Sequence, residues 1–274
     1  MTELVQDTLC ISGLGALYLG DALLPLIHQE ALMLQSRESL APGLHFWRHR
    51  KALLLGSRDL VLPGQNEALQ WVHAQGIASA VRPFGGQAVL LDCGVQNVTL
   101  ITPDEGRSLD ATFTSFATLL AAACAPVANV EVGEVLGSYC PGRFDLSIDG
   151  RKVAGIAQRR LSGVVAVSAF VNVRASVSRE DIVARYYGLA GEKSNDGVAG
   201  DGMSGARARP ALDVVRGSTT SLEDVLRDRG REIWTTEDFR RQCRLACERS
   251  GYRLVARPPT PRRHLEAAVY RLRR

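Results

Sequence analysis

Lysine is scarce in this chain. Lys51, Lys152 and Lys193 stand against about thirty arginines in 274 residues, with a net charge of +4. Such an imbalance reads as codon usage more than as a nucleic-acid surface, although a basic face for an acidic partner stays open. The six cysteines (Cys10, Cys93, Cys124, Cys140, Cys243, Cys247) include no CxxC pair, and no histidine stands at metal-ligand spacing from them. Cys243 and Cys247 are one helical turn apart but lack further ligands, so a zinc site is not expected. The five histidines are scattered and form no triad or metal pattern. No run of 18 apolar residues occurs and no basic segment leads an apolar one at the N-terminus, so neither a membrane span nor a signal peptide is expected. Reduced thiols and a cytoplasmic location follow as the default.

What is present is an ordinary globular composition, 46% hydrophobic and 23% charged. A chain of this length can bury a sizeable core without disulfides. Residues 1–20 are hard to place. Residues 22–35 read as an apolar helix with Pro25 in its first turn, where a missing N–H costs nothing. Residues 43–47 and 52–55 read as short strands around the basic link 48–51. Residues 66–75 read as a helix capped by Asn66. Strands are expected at 78–82, 88–91 and 98–101, with Asp92-Cys93-Gly94 as a turn. Residues 109–125 form the longest helical stretch and are expected to pack across a sheet. Residues 144–148 and the run after Asp149-Gly150 read as a hairpin, because Asp-Gly between β-rich runs is a strong turn signal. A long strand is expected over 163–173.

Ser178 to Asp181 resembles a capping box ahead of a helix over 182–187. Residues 190–209 are rich in glycine, serine and asparagine and read as a mobile loop or linker. Two helix starts follow, at Thr220-Ser221 and at Thr235 or Thr236. Residues 257–274, with three prolines and six arginines, read as a surface segment. Strands mixed with helices favour an α+β fold around a mixed or antiparallel sheet. The domain reading is a catalytic unit over 1–190 and an extension over 191–274, both within one domain.

Three features carry candidate chemistry. Cys140 sits in the loop Ser138-Tyr139-Cys140-Pro141-Gly142. A free thiol is only a few per cent thiolate near neutral pH, so a nucleophilic cysteine needs a cation, a helix N-terminus or a base nearby. Cys140 reads either as a small buried filler or as such a nucleophile, and a loop position argues against filler. No nucleophile motif of the serine-hydrolase kind lies close by. Lys152, across the hairpin, could supply the cation or stabilise an oxyanion, or could be a solvated strand residue. Arg82-Pro83-Phe84-Gly85-Gly86-Gln87 follows a strand, and its two glycines would let backbone approach a ligand, or simply form a turn. Asp92, Gly94 and Asn97 read as turn or site residues.

These pieces match a pattern. Val81 to Val89 and Asp92 to Asn97, taken with Asp149 to Gln158, resemble the biotin/lipoate protein ligase catalytic superfamily over roughly residues 40–190. The resemblance implies an α+β fold with a central mixed sheet packed with helices. Gln87 stands where ATP-using members carry a third glycine, and Val95 stands where they carry asparagine. Val89 to Asn97 and the Tyr139-Cys140-Pro141-Gly142 loop resemble instead the octanoyl amidotransferases of that superfamily. The implied activity moves an octanoyl group from the glycine-cleavage H protein to lysines of lipoyl domains. Cys140 would be the thioester nucleophile, and Lys152 would contact the acyl carbonyl. Arg82, Gly85, Gly86, Gln87, Asp92, Asn97 and Gly155 would bind substrate.

No cofactor is implied, since one amide is exchanged for another. ATP and Mg enter only under the alternative of a lipoate or octanoate ligase. Further alternatives are a transferase using octanoyl-acyl carrier protein and a non-catalytic binder of lipoyl carriers. No nucleic-acid or membrane partner is expected.

Overall fold

The structure, a computed structural model, describes residues 8–191 and 213–273. In chain order the elements are β1 (Thr8–Ser12), β2 (Leu17–Tyr18), α1 (Leu24–Ser39), β3 (Gly43–His49), β4 (Lys51–Leu55), α2 (Gln65–Ala74), β5 (Ala78–Val81), β6 (Val89–Asp92), β7 (Val95–Pro103), α3 (Leu109–Cys124), β8 (Glu131–Val132), β9 (Leu146–Ile148), β10 (Arg151–Leu161), β11 (Val164–Asn172), α4 (Arg179–Gly191), α5 (Leu222–Asp228), α6 (Thr236–Arg249), β12 (Arg253–Ala256) and α7 (Arg262–Leu272). Among the described residues the large sheet runs β12-β1-β3-β7-β11-β10-β9-β8, with β2 beside β3. It is parallel through β12, β1 and β3 and antiparallel from β3 to β8. A small sheet, β5-β4-β6, stands apart from it. The mixed sheet packed with helices is the α+β architecture expected from the sequence.

Strand β11 explains how the layers form. Its valines and alanines are apolar on both faces, as a central strand between two helical layers requires. Val165, Val167, Ala169 and Val171 join Phe116 and Leu120 of α3 and Phe239 of α6 in one core cluster. The intervening residues turn the other way: Val164 and Ala166 meet Leu32 and Met33 of α1, and Phe170 joins Leu26 and Trp47. Period-two alternation thus splits one strand between two cores.

Several boundaries differ from the sequence reading. Strands β3 and β4 are separated by Arg50 alone, because Arg48 and His49 extend β3. Helix α2 starts after Gly64 with no side-chain cap, so Asn66 lies inside the helix. The strand expected over 144–148 begins at Leu146, and α4 runs well beyond Tyr187. Ser221 and Thr235 do cap α5 and α6, each accepting a backbone N–H three residues on.

Residues 257–274 are not simply a surface segment. They carry α7, which buries His264 and Ala268. Ala31 of α1 joins Ala268 in a small cluster. Just upstream, β12 pairs in parallel with β1, a long-range contact that local patterning does not encode. The glycine-rich stretch over 190–209 lies outside the described residues beyond its first two positions, which end α4.

Candidate active site

The turn Asp149-Gly150 closes the β9–β10 hairpin, with Ile148 opposite Arg151. Both turn residues have positive φ, +51° and +73°, as a two-residue hairpin turn of this kind demands. The register slips between Lys152 and Ala154, a bulge that re-aims the side chains beside it. Lys152 is completely buried. Its Nζ donates to the carbonyls of Tyr139 (3.0 Å) and Cys140 (2.5 Å) and pairs with Asp145 Oδ2 at 2.8 Å. An ammonium has three N–H bonds, and all three are engaged. The rings of Tyr139 and Phe170 lie close to the cation.

Asp145 closes the loop from its other end. Its Oδ2 accepts the Gly142 N–H at 2.9 Å, and its own N–H donates to the Gly142 carbonyl. Burial pushes the Asp145 carboxyl up to about 6, while Lys152 pulls it down. Lys152 and Asp145 thereby brace the loop at both ends. Between them Cys140 adopts a left-handed backbone with φ +50°, uncommon for a residue with a Cβ.

This conformation aims the Cys140 sulfur at the glycine turn. Arg82 Nη2 and the Gln87 N–H both reach Sγ at 3.2 Å. Arg82 Nη2 also donates to the Gln87 carbonyl at 2.6 Å, which ties the turn to itself. Gly86 has φ +101°, and a Cβ there would lie 2.8 Å from Sγ and 2.6 Å from Arg82 Nη2. Glycine is therefore required for the sulfur to sit where it does. The far end of the turn is held by Tyr187, whose hydroxyl accepts the Ala88 N–H and donates to Asp59. Burial raises the pKa of both Asp59 and Tyr187.

From the sulfur a cavity of about 450 Å³ opens. Its floor is a row across four strands: Trp47 pairs with Asn97, Asn97 with Phe170, and Phe170 with Gly155. A Cβ at Gly155 would lie 2.5 Å from the Phe170 ring and 3.1 Å from Lys152 Cε, so the missing side chain makes room for both. Leu26, Leu54, Val89 and Leu91 complete an apolar slot. Asn97 Nδ2 is buried there without a partner. Gln29 closes one side, accepting from Trp47 Nε1 and Thr99 Oγ1. At the mouth, Phe113 and Phe144 stack with centroids 4.8 Å apart, and the Arg143 guanidinium lies over Phe144.

The structure brings together Cys140, Arg82, Gly85, Gly86, Asn97 and Gly155 along this cavity. Gln87 reaches it through its backbone N–H on the sulfur. Lys152 lies behind the cavity wall, its donors engaged by the Cys140 loop. Asp92 is elsewhere: it accepts two bonds from Arg179 and one from the Gly94 N–H, and does not line the cavity. The sequence reading missed Asp145, although a lone carboxylate at the head of an apolar strand was a usable signal. It also missed the slot residues, which come from separate elements and carry no local pattern.

The chain belongs to the lipoyl protein ligase A/B catalytic domain family, whose model matches residues 21–244. An octanoyl-[GcvH]:protein N-octanoyltransferase of Anoxybacillus flavithermus is 45% identical over 158 residues, 56% of this chain and 57% of that protein. A lipoyl-[GcvH]:protein N-lipoyltransferase of Listeria monocytogenes is 32% identical over 152 residues, 53% of this chain and 54% of that one. The chain thus spans just over half the length of these curated relatives. Among solved structures, lipoate-protein ligase A bound with ATP superposes with a TM-score of 0.68 at 17% identity, covering 97% of this chain and 93% of that one. Protein Ta0514 of T. acidophilum with bound lipoic acid gives 0.69 at 16% identity, covering 97% and 94%. At such identities the likeness is one of fold.

Proposed function

We propose that this protein is a cysteine-dependent octanoyltransferase. It takes an octanoyl group from the lysine of the glycine-cleavage H protein and passes it to lysines of lipoyl domains. The observation that carries the reading is the Cys140 sulfur, held by Arg82 and the Gln87 N–H at the head of an apolar slot. The matched regions of the relatives that bear the octanoyltransferase name support it.

The sulfur attacks the acyl carbonyl of the donor amide. A C–S bond forms, the C–N bond breaks, and the lysine amine departs with the thiol proton. The amine of the acceptor lysine then attacks the thioester, a C–N bond forms as the C–S bond breaks, and the proton lost by the amine returns to the sulfur to regenerate the thiol. Arg82 and the Gln87 N–H are the donors at hand for negative charge on the carbonyl oxygen as each tetrahedral intermediate forms. Lys152 serves by holding the Cys140 carbonyl, and with it the left-handed backbone that aims the sulfur. The slot takes the eight-carbon tail, at about 0.8 kcal/mol per buried methylene.

Because one lysine amide replaces another, the exchange is near balance, and neither ATP nor Mg enters the proposal. The carriers are the protein partners of this reading, with neither nucleic acid nor membrane. Among the described residues no helix is long and apolar enough to cross a membrane. A cytoplasmic site of action is part of the proposal, to be checked by cell fractionation.

Intact mass after incubation with octanoyl-H protein, without ATP, tests the chemistry beside a Cys140→Ala control. A hydroxylamine-sensitive octanoyl adduct on the unsubstituted chain alone is the expected result. Acylation of a lipoyl domain only when ATP and free acid are supplied would overturn the reading in favour of a ligase.

A further inference from the structure

Arg159 lies on β10 opposite Ala166, on the face of the sheet covered by α1. Its guanidinium forks between two partners. Nη1 donates to the Pro83 carbonyl at 3.1 Å, and Nη2 meets Glu30 Oε1 of α1 at 3.0 Å. The Glu30 carboxylate is buried, and Arg271 of α7 approaches the same oxygen at 2.9 Å. Arg159 is part-exposed, but burying the Glu30 carboxylate costs stability that pairing does little more than offset, so its use here calls for another reason. Pro83 supplies one. It follows Arg82 directly and belongs to the turn whose Arg82 and Gln87 donors face the Cys140 sulfur.

That turn is fixed at its start by the Arg82 N–H on the Leu55 carbonyl and at its end by Tyr187 on Ala88. Between these points the Gln87 carbonyl binds Arg82 of the turn itself, and the Pro83 carbonyl is tied to β10 by Arg159. A planar fork that binds one carboxylate oxygen and a carbonyl at once sets an orientation that a single point charge would not.

We propose that Arg159 is a positioning residue: held by Glu30, it fixes the Pro83 carbonyl and thereby keeps the two donors of the glycine turn aligned on the Cys140 sulfur. The proposal rests on the reading of Cys140 as the nucleophile. It assigns the Glu30–Arg159 pair to thiol reactivity and not to fold stability alone.

Site-resolved alkylation of the full chain by iodoacetamide tests this, with no acyl donor present and the exposed Cys93 as internal standard. Arg159→Met is expected to slow alkylation of Cys140 about fivefold relative to Cys93, the value of roughly one hydrogen bond to the reacting thiolate. Arg159→Lys, which keeps the charge but loses the planar fork, is expected to fall between, at about twofold. Arg160→Met is the control. It removes the next arginine, which pairs with Asp104 at 2.9 Å, and is expected to lower the melting temperature while leaving Cys140 at its original rate. An unchanged or faster Cys140 rate in Arg159→Met, or equal slowing in Arg160→Met, overturns the proposal. If Arg159→Met does not fold, Arg159→Lys decides: slowing supports the proposal and an unchanged rate overturns it. Alkylation needs no octanoyl donor, so failure of the acyl adduct in the unsubstituted chain sinks the transferase reading separately.

Discussion

Lys152 Nζ and Asp145 Oδ2 lie 2.8 Å apart with both side chains closed off from solvent. The pair stands beneath the loop that presents Cys140, and each partner also binds that loop's backbone. Removing the cation leaves two carbonyls without their donor and a buried carboxyl without its counter-charge. Lys152→Met is expected to lose about 3 kcal/mol of stability, the usual cost of breaking such a pair. Adduct formation at Cys140 is expected to fall at least about tenfold, because the clamp on its carbonyl is gone. Urea denaturation and intact mass read the two effects separately, and a variant of unchanged stability contradicts the buried pairing.

The same pair predicts a pH dependence. The Asp145 carboxyl, raised to about 6, sits above the ordinary carboxylate value of about 4. The folded chain therefore holds this proton more tightly than the unfolded chain does. The stabilisation is fully present below about pH 4 and is lost as pH rises through about 6. Asp145→Asn cannot titrate there. The stability of the unsubstituted chain relative to this variant is expected to decline between about pH 4 and pH 7. Urea titrations across that window check the sign, and a flat or rising difference refutes it.

Gly86→Ala tests the contact between turn and sulfur. The added methyl would stand within 3 Å of both Sγ and Arg82 Nη2, on a backbone with φ +101°. A stability loss of about 1–3 kcal/mol is expected from the strained backbone. Thioester formation should fall further, by about a hundredfold, because the sulfur and its donor are both displaced. A variant that still acylates at the original rate would show that this approach is not needed for catalysis.

Under the proposed function the slot holds the acyl tail and is expected to set chain length. Val89→Phe places a ring among Leu26, Leu54 and Leu91. Excluding two methylenes at about 0.8 kcal/mol each shifts preference toward a six-carbon acyl group by roughly tenfold. Competition between hexanoyl- and octanoyl-H protein measures it, and an unaltered ratio means that the tail lies elsewhere.

Much of the site was legible because its chemistry is local. Asp149-Gly150 marks the hairpin, and the glycine turn follows its strand directly. Legibility stopped where distance in the chain took over. The resemblance implies a contact from Lys152 to the acyl carbonyl, but the sequence does not show the Tyr139 and Cys140 carbonyls that take its donors. The β12 pairing with β1 links residues about 245 apart, and no propensity signals a parallel partner so remote. The arginines and prolines of α7 disguised a helix whose buried face is only His264 and Ala268. The Arg159–Glu30 contact likewise joins strand to helix across 129 positions.

The alternation along β11 separates two kinds of selection within nine residues. Ser168 and Phe170 border the apolar cavity, whereas Val167 and Val171 face the layer of α3 and α6. If the cavity holds the acyl chain as proposed, a lineage can drift in acyl preference through one set of positions while the other answers only to folding. A library randomised at Ser168 and Phe170 is therefore expected to yield altered specificities among mostly soluble clones, and one randomised at Val167 and Val171 to yield mainly insoluble protein.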